Sequence, residues 1–332
     1  MLPLVVTMGE PAGIGGEITL KAWLGRRGGI PPFYLIDDLD RIAALARRLG
    51  WPVPVRPISA PEEARALFAE ALPIAPIGIA SRALPAHPDP ADALAILGAI
   101  ETGVRHVLSG HAAALVTNPI HKDSLYRAGF GYPGHTEYLA ALAGVTEAPV
   151  MMLVCSALRV VPVTVHLALR QAILELCTSA IFHAGRVTEA ALRRDFGVAA
   201  PSLAIAGLNP HAGEAGGLGR EEIEIIEPAI AELRAAGIDA RGPLAADTMF
   251  HAEARGSYDA ALCMYHDQAL IPIKTIDFHG GVNVTLGLPF VRTSPDHGTA
   301  FAIAGRGVAR AESLIAALRL GAEMAARRAI VD

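Results

Sequence analysis

Val160-Val161-Pro162-Val163-Thr164-Val165-His166 is an apolar run, too apolar for a strand with a wet face, that ends on an imidazole. Two further segments repeat the layout. Ser202-Leu203-Ala204-Ile205-Ala206-Gly207-Leu208 leads into Asn209-Pro210-His211, and Ala260-Ala261-Leu262-Cys263-Met264-Tyr265 leads into His266-Asp267. Working outward, the short apolar runs 4–7, 33–36, 113–117 and 150–154 read as more strands. Ala-rich segments of helical period at 38–49, 61–71, 89–108, 168–176, 220–236 and 308–328 read as helices. Several of these open on Asp or Pro and close near Gly, as helix ends prefer. Strands buried on both faces and separated by helices predict an α/β architecture with largely parallel sheets.

The chain of 332 residues is long enough for one large or two medium domains. With 52% hydrophobic and 18% charged residues it has ample apolar surface to bury, which argues against disorder. The net charge is -5 and no basic stripe is present, so a nucleic-acid partner is not expected and any phosphate is recognised locally, in a pocket. Cys155, Cys177 and Cys263 show no CxxC spacing and read as buried free thiols in a reducing, cytoplasmic setting. Met1 to Gly9 carries no basic residue before its apolar run, unlike a secretory signal. The most apolar stretch, 149–169, is broken by Arg159, Pro162 and His166, so no membrane span is expected.

Ligands of open α/β sheets collect at the carboxyl ends of strands. His166, His211 and His266, delivered there from three strands, suit a divalent metal with positions open for substrate. Asp267 and Asp247, the latter after Leu244-Ala245-Ala246, would orient ligands. A histidine at a strand end also commonly serves structure alone, and the spacing contains neither HExxH nor a Cys-His finger pattern. Gly131-Tyr132-Pro133-Gly134-His135-Thr136-Glu137 is a turn feeding a helix whose first N–H groups suit an anion, or it is a simple helix cap. Lys274, Asn283 and Arg292 are polar heads in apolar frames that together would clamp a phosphate; a surface-seeking Lys274 is the alternative. Thr7-Met8-Gly9-Glu10-Pro11-Ala12-Gly13-Ile14-Gly15-Gly16-Glu17 joins a strand to a helix without the G-x-G-x-x-G spacing of a dinucleotide fingerprint, and only Asp37 or Asp38 stands where the ribose acid is expected. Thr293-Ser294-Pro295-Asp296-His297-Gly298-Thr299-Ala300 is a second cradle of turn formers and backbone donors.

In combination these motifs, with Thr117-Asn118-Pro119, Asn209-Pro210-His211-Ala212-Gly213-Glu214 and His266-Asp267-Gln268, closely resemble the 4-hydroxythreonine-4-phosphate dehydrogenase family of vitamin B6 synthesis, related to the isocitrate and isopropylmalate dehydrogenases. The resemblance covers essentially the whole chain. It implies a two-domain α/β/α architecture, residues 1–128 with 296–332 forming one domain and 129–295 the other, with the active site in the interdomain cleft of a homodimer and completed by the partner subunit. It implies a metal (Zn, Mg or Co) on His166, His211 and His266, one of them supplied across the dimer, and substrate contacts from His135, Thr136, Lys274, Asn283 and Arg292. NAD or NADP would lie along Ser294, Asp296, His297, Gly298 and Thr299. The chain departs at Glu10, Gly16, Ala302 and Arg306, where the family usually has Asp, Pro, Asp and Lys.

The implied reaction oxidises 4-phosphohydroxy-L-threonine at its 3-hydroxyl and then loses carbon dioxide to give 3-amino-2-oxopropyl phosphate. Asp247, Asp267 and Lys274 are the candidate proton acceptors. Two alternatives share much of this machinery: oxidation of 4-phospho-D-threonate or 4-phospho-D-erythronate, and metal-dependent hydrolysis of a phosphate ester.

Overall fold

The computed structural model describes residues 2–331. Its strands are β1 (Leu4–Thr7), β2 (Phe33–Asp37), β3 (Val55–Pro57), β4 (Leu72–Pro76), β5 (Leu115–Thr117), β6 (Val150–Cys155), β7 (Leu158–Pro162), β8 (Ser202–Ala206), β9 (Asp239–Leu244), β10 (Ala260–Cys263), β11 (Val282–Leu286) and β12 (Arg292–Pro295). The chain forms two compact units, one from the residues up to Pro149 with Leu288–Ile330, the other from Val150–Gly287.

In the first unit the strand order is β3-β4-β2-β1-β5-β12, and every pairing is parallel. β1 and β2 are buried along their whole length, as the unbroken apolar runs predicted. Val5, Tyr34 and Ile36 pack with Ile96, Ala99, Ile100 and Val104 of the helix Ala93–Leu108. That helix lies close to the sheet because Gly103 has no side chain; a Cβ there would stand 2.8 Å from Leu115 Cδ1.

In the second unit the order is β11-β6-β7-β10-β8-β9. β6 is antiparallel to both neighbours, and the Cys155–Leu158 register closes it onto β7 through a two-residue turn. β7, β10, β8 and β9 are mutually parallel. The core gathers Leu153, Val160, Ala204, Ala261 and Cys263 against Ala269 and Ile273 of the helix His266–Ile276. The helix Thr178–Arg194 approaches Glu227–Ala235 closely at Gly185, where a Cβ would meet Leu233 Cδ2 at 2.7 Å.

Several expectations need correction. Of the apolar run at 160–165 only the part to Pro162 is regular strand, although Val163 N and Thr164 N still donate to the Cys263 and Met264 carbonyls at 2.8 and 3.3 Å before His166. β3, β4 and β9 are strands that the apolar runs did not include; β3 and β4 contain prolines, and β9 carries Gly242-Pro243, which an edge strand accepts because one side of its backbone faces no ladder. The apolar stretch around Lys274 is a helix with Pro272 inside it. Cys177 is exposed at the start of Thr178–Arg194, whereas Cys155 and Cys263 are buried; all three are free. Among the described residues no helix is long and apolar enough to cross a membrane.

Candidate active site

Because β7, β10, β8 and β9 run parallel as successive neighbours, their carboxyl ends share one edge of the second unit's sheet. His166 follows β7, His266 follows β10, His211 follows β8 and Asp247 follows β9. The rings of His166 and His266 have centroids 6.0 Å apart and are inclined by 39°. Thr164 ties these two strand ends together, its hydroxyl donating to the Met264 carbonyl at 2.8 Å. Asp267 Oδ1 lies 2.7 Å from His266 Nδ1, which fixes that ring and leaves Nε2 as the nitrogen that could coordinate. Thr164, His166, Tyr265, His266 and Asp267 line a cavity of about 200 Å³.

His166 and His211 both sit in the left-handed backbone region, with φ of 55° and 52°. An L-residue there costs roughly 1–2 kcal/mol, a strain that persists where the surrounding structure enforces it, commonly at functional sites. Two imidazoles backed by a carboxylate form a donor set that fits a borderline divalent cation. Among the described residues no three His, Cys, Asp or Glu side chains stand together as a metal cage, so His211 does not join His166 and His266 within this chain.

The turn that bears His211 is held by two buried side chains: Glu222, which nothing in the linear order singles out, and Gln268 of the His266-Asp267-Gln268 motif. Glu222 receives the N–H groups of Leu208 and Asn209 on Oε1 at 2.8 and 2.7 Å, and Asn209 Nδ2 on Oε2 at 2.9 Å. Gln268 donates Nε2 to the Gly207 carbonyl and accepts the Met264 N–H on Oε1, both at 2.7 Å, bridging the ends of β8 and β10. Lys274 lies two helical turns beyond Asp267, on the same helix face, with Nζ 5.4 Å from the centroid of Phe278. Asn283 on β11 carries a buried Oδ1 without a hydrogen-bond partner among the described residues. Asp247 is exposed in the turn after β9.

In the first unit Arg292 opens β12 and is 4% exposed. Its guanidinium donates to Thr117 Oγ1 from Nε at 3.2 Å and from Nη2 at 2.6 Å, and burial draws its pKa down to about 10. A buried guanidinium gains most from an anion that can take its parallel donors. His135 starts the helix His135–Leu142. Burial, reinforced by the charges of Arg292 and Lys122, holds its imidazole well below the ordinary range, so it is neutral. Its buried Nε2 has no partner among the described residues. Tyr132 packs on Tyr138 at 5.0 Å between centroids, which seats the turn ahead of His135 and the half-buried Thr136.

The first glycine loop is a packing device. A Cβ on Gly9 (φ 66°) would stand 2.6 Å from the Pro119 carbonyl, and one on Gly13 would stand 2.9 Å from the Thr299 carbonyl. Ile14 N donates to that same Thr299 oxygen at 3.0 Å, so the loop lies directly on the second cradle. There Asp296 N donates to Ser313 Oγ at 2.9 Å, His297 Nδ1 is 3.0 Å from Gly298 O, and a Cβ on Gly298 would meet nothing within 4 Å. Ser294 is buried. Glu17, also buried, accepts N–H groups from Gly305 and Gly307 and so pins the strip that follows. Asp37 is engaged by Arg41 and Asp38 caps the helix Leu39–Arg48, so neither acid stands free as a ribose acceptor. Beside the loop, Pro11, Gly13, Asp38, Arg41, Arg48 and Gly305 help line a cavity of about 360 Å³.

The second unit carries imidazoles at adjacent strand ends, and the first carries a buried guanidinium and backbone cradles on an α/β frame. The chain matches, over residues 32–321, the family described as pyridoxal phosphate biosynthetic protein PdxA. It is 54% identical over 333 residues to a 4-hydroxythreonine-4-phosphate dehydrogenase of Caulobacter vibrioides, covering 99% of each chain. The crystal structure of an enzyme of that name from Klebsiella pneumoniae superposes with a TM-score of 0.87 at 37% identity, over 98% of this chain and 100% of the other. The corresponding Burkholderia phymatum structure gives 0.82 at 38% identity, over 98% of each chain. The chain therefore belongs to the PdxA family of dehydrogenases. Membership implies a nicotinamide cofactor and a divalent metal.

Proposed function

We propose that the protein oxidises 4-phosphohydroxy-L-threonine at the 3-hydroxyl with NAD or NADP and releases 3-amino-2-oxopropyl phosphate and carbon dioxide, a step toward pyridoxine 5'-phosphate. The observation that carries the reading is the His166–His266 pair at adjacent parallel strand ends, with Asp267 fixing one ring, in a chain 54% identical to a dehydrogenase named for that substrate. His166, His211 and His266 would hold the metal (Zn, Mg or Co), with one ligand contributed by a second subunit. When bound, the divalent cation supplies positive charge that makes a neighbouring hydroxyl more acidic, and the nicotinamide supplies the hydride acceptor.

The chain's own residues do the rest. Arg292 pairs with the phosphate, Thr117 holding its guanidinium; the neutral His135 and Thr136 hydrogen-bond the substrate; Lys274 and Asn283 complete the polar contacts. Asp267, whose Oδ1 is on His266 Nδ1 and whose Oδ2 is not, Asp247 and an unprotonated Lys274 Nζ are the candidate acceptors of the hydroxyl proton. Ser294, Asp296, His297, Gly298 and Thr299 present the cradle for the cofactor, and the adjoining 360 Å³ cavity offers room for part of it.

A homodimer is supported by exposed apolar side chains on the second unit: Leu167, Leu169, Ile173 and Leu174 after β7, and Ile271 and Phe278 after β10. The three free thiols agree with the cytoplasm. The test is to follow reduced-nicotinamide absorbance and carbon dioxide release with 4-phosphohydroxy-L-threonine, cofactor and each metal. We expect both signals from the native protein, neither after chelation, and neither from His266→Ala. Phosphate release without cofactor reduction would replace this reading by hydrolysis, and preferential turnover of 4-phospho-D-threonate or 4-phospho-D-erythronate would change the substrate.

A further inference from the structure

Five consecutive residues adopt left-handed dihedrals, φ being 52° at His211, 50° at Ala212, 78° at Gly213, 44° at Glu214 and 53° at Ala215. Only one of them is glycine, and L-residues enter this region singly rather than in runs. Local preference does not maintain such a turn; surrounding contacts must enforce it. The Glu222 carboxylate, 1% exposed, makes those contacts on both sides of His211. Ahead of the histidine it collects the Leu208 and Asn209 N–H groups and Asn209 Nδ2. Behind it, Oε2 occupies the space beneath Gly213, 2.5 Å from where a Cβ would lie, so only glycine lets the carboxylate seat there. All three polar groups aimed at Glu222 are donors. An acceptor-only carboxylate satisfies them, whereas a glutamine amide of the same size would turn donors against donors.

We propose that Glu222 is the positioning residue for His211: it fixes the left-handed turn so that the imidazole meets the divalent cation, and it does not touch the cation itself. The inference rests on His211 serving as a metal ligand, as proposed above. Outer groups that orient a ligand typically change metal affinity by about 10–100-fold.

The experiment titrates the full-length protein, freed of metal by chelation, with Co²⁺, reading affinity by calorimetry and coordination by the visible d–d spectrum. Circular dichroism confirms folding for each variant. Glu222→Ala is expected to weaken Co²⁺ binding by about 10–100-fold and to shift the spectrum. Glu222→Gln should fall between it and the native protein. Gly213→Ala, which crowds Glu222 from the other side of the turn, should weaken binding too. If Glu222→Ala fails to fold, Glu222→Gln and Gly213→Ala carry the comparison. Native affinity and an unshifted spectrum in these variants, even with a lowered melting temperature, overturn the proposal while His211→Ala still loses the metal. Native affinity in His211→Ala overturns both this proposal and the ligand assignment.

Discussion

Arg292 and His135, the proposed substrate contacts, show how burial shapes a single position. Arg292 is buried with Thr117 Oγ1 as acceptor of its Nε and Nη2 donors, and its planar fork suits a phosphate bidentately in a way an ammonium does not. Arg292→Lys should therefore raise KM for the phosphorylated substrate by about tenfold or more, equivalent to about 1.4 kcal/mol, with a smaller effect on kcat. Steady-state kinetics check this, and an unchanged KM would remove Arg292 from the site. His135 gives a pH prediction. Its folded-state pKa is depressed, first by burial and then by Arg292 and Lys122. As pH falls below the unfolded value of about 6.5, the unfolded chain takes up a proton that the fold resists, so stability declines with acidification. His135→Gln should flatten the fall of the melting temperature between about pH 7 and about pH 5. Both residues were legible in the sequence, since a cation in an apolar frame or a histidine at a turn-to-helix junction stands out. Glu222 was not. It lies in Arg220-Glu221-Glu222-Ile223-Glu224, where an acid reads as part of a solvated helix face, and only the folded turn shows that it is buried.

Among the elements, the loop joining β1 to the helix Gly15–Leu24 depends most on backbone shape. Gly9 combines a φ of 66° with a Cβ position 2.6 Å from the Pro119 carbonyl, an atom that cannot move aside cheaply. Gly9→Ala should destabilise the first unit by about 1–3 kcal/mol, read as a lowered melting temperature in calorimetry. A tolerated alanine would show that β1 and β5 are less tightly coupled than their pairing implies. The departure at Gly16 is milder, because a Cβ there meets side-chain ends alone, Leu45 Cδ2 at 2.8 Å, Ile42 Cδ1 at 3.3 Å and Arg41 Nη1 at 3.4 Å. Strands such as β1, β2 and β10 were readable from apolar runs, since burial on both faces leaves no polar alternation to disguise them, whereas β11 and the polar β12, whose Thr293-Ser294-Pro295 read as turn formers, were not. The proline-bearing β3, β4 and β9 were not, and the helix Thr178–Arg194 was hidden by its many polar residues at positions that turn outward.

For the molecule as a whole, the strand-end placement of His166, His211 and His266 was visible in the linear order, but the distances between their rings were not. Among the described residues only the rings of His166 and His266 meet, and the proposed homodimer would cover the apolar side chains exposed around them. Leu174, 72% exposed, is the sharpest probe. Leu174→Arg should yield a monomer in light-scattering chromatography and should weaken Co²⁺ binding in parallel. A variant that stays dimeric would move the subunit contact elsewhere.

The return of the chain to its first unit after Leu288 has a consequence for synthesis. Val150–Gly287 is continuous and holds all its strands by the time Gly287 leaves the ribosome, whereas β5 must wait for β12 as its outer neighbour. Until then β5 is an open edge able to pair with foreign strands, and Thr117 lacks its guanidinium. Birth order therefore favours the later-encoded half maturing first, and a nascent chain stalled near position 287 is the species a chaperone would have most reason to shield.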